Sequence, residues 1–119
     1  MLRGVTPLLR IFDEERARAF YEDWLGFRRD WEHRFAPGMP LYAQVTREGV
    51  TLHLTAHHGD TTPGTRIRIR CDDVDALVAA LAPVPWARPA VEERPWGERS
   101  TDIADPFGNT LTFWTAGGT

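Results

Sequence analysis

The chain has 119 residues, 42% hydrophobic and 26% charged, with a formal net charge of -3. That length suits one small globular core, and the acidic balance argues against a nucleic-acid binder, which concentrates basic residues on one face. A lone cysteine, Cys71, excludes an internal disulfide and any thiolate metal cluster.

Met1-Leu2-Arg3-Gly4 carries no apolar signal region, and no stretch approaches the ~20 apolar residues that span a bilayer; a cytoplasmic location is the expectation. Val5 to Phe12 reads as a short apolar strand running into Asp13-Glu14-Glu15. Asp13 is a good N-cap there, and acidic residues in a first turn suit the helix dipole. Ala17, Phe20, Tyr21 and Trp24 recur at i, i+3, i+4 and i+7, an amphipathic helix stopped by Gly26. Three strand-like runs follow: Phe27 to Phe35, Leu41 to Arg47 and Val50 to Thr55. Residues 57–64, from His57 to Gly64, read as a linker.

The same order then returns. Arg66 to Cys71 alternates polar and apolar, and Asp72-Asp73 opens a second helix with the stripe Val74, Leu77, Val78 and Leu81, ended by Pro83. Strand-like runs from Ala87 to Glu93, Glu98 to Ala104 and Thr110 to Thr115 complete the copy. The repeat predicts an α+β fold, one domain over residues 1–119. It is built of two tandem β-α-β-β-β modules (about 5–56 and 65–115) forming a half-barrel sheet around a shared concave cavity.

Strand side chains alternate between faces. If the apolar set packs on the helices, Tyr42, Gln44, Thr46, Thr51, His53, Thr55, Arg66, Arg68, Arg70, Thr110, Thr112 and Trp114 line the other face. Trp31, His33 and Phe35 join them on a less cleanly patterned strand. Five tryptophans and six phenylalanines are many for this length, and a polar, aromatic concave surface suits a cleft that stacks flat ligands. No nucleophile elbow surrounds Ser100, the only serine, and no glycine-rich phosphate loop is present.

The paired plan, Asp105-Pro106-Phe107-Gly108-Asn109 before the last strand, and Phe20-Tyr21 through Leu25-Gly26-Phe27 resemble the glyoxalase/bleomycin-resistance superfamily, also called vicinal oxygen chelate proteins. Glu92-Glu93-Arg94-Pro95-Trp96-Gly97-Glu98-Arg99 is similar to the Gln-Pro-Trp-Gly-Arg-Glu segment of its bleomycin-resistance branch, and Pro7-Leu8-Leu9 is similar to that branch's first strand. The superfamily's enzymes hold a divalent metal at four positions, which fall here at Thr6, His53, Arg66 and Thr112. Only His53 is a good ligand, and Arg66 would repel the ion. The resemblance therefore implies no metal, no other cofactor and no catalytic residues. His57 and His58 are poor substitutes, because adjacent strand residues point opposite ways.

The branch sequesters a glycopeptide drug, unmodified, in clefts at a dimer interface. By resemblance, this implies antibiotic resistance of the bleomycin type. Trp96 is the stacking candidate, and Phe35 and Trp31 the opposing wall. Glu32, Glu98 and Asp102 could meet the drug's cationic tail. His53, Arg66, Arg68, Tyr42 and Thr112 complete the expected ligand-binding set. Pro7 inside the first strand implies an edge or a bend, and the resemblance implies that this strand is exchanged between two copies; the expected partners are a small molecule and a second copy, with first strands swapped. Three arginines on one strand would suit an anionic ligand instead. The alternatives are thus a module for another aromatic or anionic molecule, a metal-dependent lyase, dioxygenase or thiol transferase of the same fold, or a purely structural domain.

Overall fold

The computed structural model describes residues 1–117. In chain order it has strand β1 (Leu8–Arg10) and helix α1 (Glu14–Ala17), which continues as a π-helix (Arg18–Trp24). Strands β2 (Arg28–His33), β3 (Tyr42–Arg47), β4 (Val50–Thr55) and β5 (Arg66–Arg70) follow. Helix α2 (Val74–Ala80) precedes strands β6 (Glu92–Glu93), β7 (Arg99–Ala104) and β8 (Thr110–Thr115). The chain divides into two compact units: Met1–Thr65 with Pro106–Asn109, and Arg66–Asp105 with Thr110 onward.

Two β-α-β-β-β-like modules are present, but not the expected half-barrel. The strands make two four-stranded sheets, ordered β1-β4-β3-β2 and β5-β8-β7-β6, and neither is closed into a barrel or strongly curled. Closure requires the first and last strands of a sheet to pair with a consistent stagger. Here β1 and β2 remain edges of one sheet, and β5 and β6 of the other.

Two strands are shorter than their sequence patterns. Pro7 has no N–H to give a ladder, so β1 begins at Leu8, although the Pro7 carbonyl still accepts from His53 N at 2.9 Å. The run from Ala87 shrinks to Glu92–Glu93 because Pro83, Pro85 and Pro89 remove donors along the approach. Only an isolated bridge between Val84 and Ala87 forms there.

In the first unit the predicted stripe is the buried one: Ala17, Phe20, Tyr21 and Trp24 are buried, as are Leu52, Leu54, Ala43 and Val45 of the sheet. Tyr21 meets Phe20 and Phe27 edge-on, with centroids 4.8 and 6.5 Å apart. The helix widens into π geometry before Gly26: Leu25 N donates to Phe20 O at 3.0 Å and Phe27 N to Tyr21 O at 2.9 Å. Gly26 takes φ 79, the left-handed conformation that ends a helix most easily without a Cβ.

The Asp105-to-Asn109 turn also belongs to this unit. Asn109 is fully buried; its amide donates to Arg10 O at 2.8 Å and accepts from Thr65 N at 3.1 Å. The second unit buries less apolar surface. Val74, Ile103, Leu111 and Phe113 are its core, while Ile67, Ile69, Leu77 and Val78 are only half-buried.

Candidate functional site

The first unit's polar sheet face is organised by a bulge. Arg29 pairs with Val45 and Trp31 with Gln44, leaving Asp30 as the extra residue in β2. The shift places Trp31 and His33 on the Gln44 and Tyr42 face. Arg29 lies on the opposite face, where it pairs with Glu22 at 3.0 Å and Glu32 at 3.1 Å. Glu32 is thus directed away from Trp31, contrary to the expectation that it meets a ligand's positive charge.

Trp31, 43% exposed, lies nearly parallel to Tyr42, with ring centroids 6.1 Å apart and planes at 9°. His53 meets both edge-on, at 5.3 Å from Trp31 and 5.1 Å from Tyr42. A hydrogen-bonded relay fixes the Tyr42 and His53 rings. Gln44 Nε2 donates to Asp30 Oδ2 at 3.0 Å, which leaves Gln44 Oε1 to accept from His53 Nε2 at 2.9 Å. Tyr42 Oη then donates to His53 Nδ1 at 2.6 Å. Burial holds the His53 pKa below its ordinary value, in keeping with a neutral Nε2–H tautomer. Hydrogen bonds from Thr46 and Gln44 hold the Asp30 carboxyl below its usual range. Phe35, 72% exposed, stands apart from this group, packing edge-on with His33 and His57 at 4.9 and 6.1 Å.

The second unit's polar face is an ionic lattice. Asp102 accepts from Arg66 at 3.3 Å, Thr112 at 2.6 Å and Arg94 at 3.3 Å. Arg94 also reaches Ser100 Oγ at 2.8 Å and Glu92 at 2.9 Å. Arg68 pairs with the buried Glu98 carboxyl, whose pKa it lowers most, with the Trp96 indole N–H adding to the effect. Trp96 itself is 68% exposed on a tight turn in which Gly97 N donates to Arg94 O at 3.0 Å. Gly97 has φ 85, so glycine suits that corner. Beside this lattice a cavity of ≈ 270 Å³ is lined by Trp86, Pro89, Arg94 and Asp102 among others.

The structure therefore groups the expected residues within each unit. Trp31, Tyr42 and His53 form one cluster; Arg66, Asp102 and Thr112, with Arg68, Glu98 and Trp96, form another. Asp30 and Arg94 extend these clusters and were not singled out by sequence, while Gln44 and Trp114, expected on the polar face, join them. The run Arg28 to His33 has no clean alternation that would mark Asp30 as the extra residue.

The four family metal positions do not fit an ion. Both His53 ring nitrogens are engaged by Tyr42 and Gln44, Arg66 is a cation, and the Thr112 hydroxyl bonds Asp102. Among the described residues no group of three or more His, Cys, Asp or Glu is placed to hold a metal. Nor, among them, is any helix long and apolar enough to cross a membrane.

Residues 1–117 match the model of a family described as "Glyoxalase superfamily protein". No curated protein matches the chain. Among solved structures it is similar to a glyoxalase/bleomycin resistance protein from Streptomyces sp. CB03234: 30% identity, 91% of this chain and 96% of that one, TM-score 0.68. It is also similar to TnmS3, an antibiotic binding protein from the same Streptomyces, at 28% identity, 98% of each chain and TM-score 0.67. A bleomycin resistance determinant encoded on the transposon Tn5 shares the fold, at 23% identity, 97% and 98% coverage and TM-score 0.70. The two β-α-β-β-β-like modules and this match over almost the whole chain agree: the chain belongs to the glyoxalase superfamily.

Proposed function

We propose that this protein is a metal-free small-molecule binder that sequesters a flat aromatic antibiotic, of which the bleomycin type is the first to test. The observation that carries the reading is the Trp31–Tyr42 pair. Tyr42 is held by a relay whose hydrogen-bonding capacity is spent inward, on His53, Gln44 and Asp30, and Trp31 packs against it. What remains toward solvent is a rigid aromatic platform suited to stacking rather than to chemistry. Two relatives from Streptomyces, one called an antibiotic binding protein and one a glyoxalase/bleomycin resistance protein, support the same direction. A homodimer with exchanged first strands accompanies the proposal: β1 is an edge strand, and the exposed Met1, Leu2 and Val5 precede it with no strand pairing.

The test is titration of the purified, metal-stripped protein with metal-free and copper-loaded bleomycin, read by tryptophan fluorescence, with light scattering for the dimer. Saturation at about micromolar Kd, close to -8 kcal/mol, is expected, with intact drug recovered after denaturation. Trp31→Ala and Trp96→Ala should each weaken it. An absence of saturation, or recovery of a chemically altered drug, overturns sequestration of that drug.

A second reading, another flat aromatic ligand without a cationic tail, is favoured by one observation. Glu98 and Asp102, the carboxylates that would meet such a tail, are already paired with Arg68, Arg66 and Arg94.

A further inference from the structure

We propose that Arg70 and Arg68, whose guanidinium groups both lie over the Trp114 ring, form an anion subsite that selects an aromatic ligand bearing a carboxylate. The inference rests on the small-molecule-binding reading above and specifies the charge of the ligand.

The arrangement follows from strand pairing. β5 runs parallel to β8, with Arg68 opposite Thr112 and Arg70 opposite Trp114. Alternation puts both arginines on one face, and their guanidinium carbons lie 5.1 and 5.2 Å from the Trp114 ring centroid. A guanidinium stacked on an indole keeps its in-plane N–H donors free for a planar acceptor, and the ring fixes its orientation in advance.

Neutralising charge is unevenly distributed along this face. Four guanidiniums (Arg66, Arg68, Arg70 and Arg94) share three carboxylates. Asp102 serves Arg66 and Arg94, Glu92 serves Arg94, and Glu98 serves Arg68. Among the described residues Arg70 has no carboxylate partner, and its side chain is exposed. The surplus positive charge therefore sits at the Trp114 end of the sheet, on a side chain lying over the indole ring.

A carboxylate accepting from Arg70, with Arg68 close by on the same ring, would gain charge-assisted hydrogen bonds. The exposed Trp96 indole offers aromatic area in the same unit. An aromatic acid uses both features, whereas a cation meets the surplus as repulsion.

The test compares three probes of one shape, 2-naphthoate, 2-naphthamide and 2-naphthylmethylammonium, on the full-length protein. Affinities come from NMR shifts of the Trp114 indole N–H and the Arg70 Nε–H. The expectation is naphthoate tighter than naphthamide by about tenfold or more (about 1.4 kcal/mol) and the ammonium weakest, with the preference shrinking in high salt. Arg70→Gln should bring naphthoate down to the naphthamide level, while Arg16→Gln, on α1, should keep the preference. Equal affinity for naphthoate and naphthamide, or a preference that survives Arg70→Gln, overturns the anion subsite but leaves aromatic binding standing. Failure of all three probes to bind overturns both.

Discussion

Tyr42→Phe isolates one link of the relay behind the aromatic platform. The substitution keeps the ring that lies against Trp31 and deletes only the hydroxyl that donates to His53 Nδ1 at 2.6 Å. Tyr42 is half-buried, so water replaces the lost donor incompletely. A net intramolecular hydrogen bond contributes about 0.5–1.5 kcal/mol, and the short distance places this one toward the upper part of that range. The expected loss in chemical denaturation is therefore about 1 kcal/mol, with the denaturant slope unchanged. A second readout is specific to the relay. The Tyr42 hydroxyl favours the neutral form of His53, so its removal should raise the His53 pKa and relax the Nε2–H tautomer, both visible in imidazole nitrogen shifts. Unchanged stability together with an unchanged tautomer would refute the account of the relay.

Three further outcomes follow from geometry already described. Asp30, Glu98, Glu14 and Asp75 all have lowered pKa values in the fold, set foremost by Thr46, Arg68, Arg34 and Arg99 respectively. Their contribution is fully present above the unfolded carboxylate range of about 4, and is lost as pH falls through the lower folded values. His53, also lowered, adds a loss that starts earlier, below about 6.5. Thermal melts across pH should show that order, and a melting temperature flat down to pH of about 3 would contradict it. Asn109→Ala strands the Arg10 carbonyl and the Thr65 amide, and should cost about 1–3 kcal/mol for each group left unpaired in denaturant unfolding; a cost below about 0.5 kcal/mol would count against the turn's role. Calorimetric titration of the stripped protein with Zn²⁺ should give no stoichiometric binding that depends on His53, since both its nitrogens are engaged; a site lost in His53→Ala would overturn the fit argument.

The sequence carried the α1 stripe and the parity of β3, β4 and β8, because those patterns report one-sided burial directly. Strand extents near proline were less legible: alternation continues through Val5 and Ala87, but the donors do not. The half-barrel was an inference from repetition. Repetition fixes the order of elements, whereas closure depends on which edge strands find partners, and here β1, β2, β5 and β6 remain edges. Among the expected ligand-binding residues, Trp31, Tyr42 and His53 gather because each faces the polar side of adjacent strands. Glu32 sits opposite because it follows Trp31 directly on the strand, and the bulge at Asp30 is the feature that no two-residue periodicity announces. Arg94 lies outside any regular pattern, and only three-dimensional proximity reveals its bonds to Asp102, Ser100 and Glu92.

The bulge at Asp30 also changes what an insertion or a deletion means for this family member. Deleting Asp30 would leave Trp31 directly after Arg29 and still opposite Gln44, whereas keeping Asp30 in regular pairing with Gln44 would move Trp31 opposite Ala43 and turn it toward the helix side. A relative lacking one residue at this point keeps the same face toward its ligand and loses only the carboxylate that Gln44 and Thr46 hold. In comparing such sequences, a gap at Asp30 is therefore a mild change, whereas substitutions that let Asp30 pair regularly would put Asp30 and Glu32 on the platform side in place of Trp31 and His33.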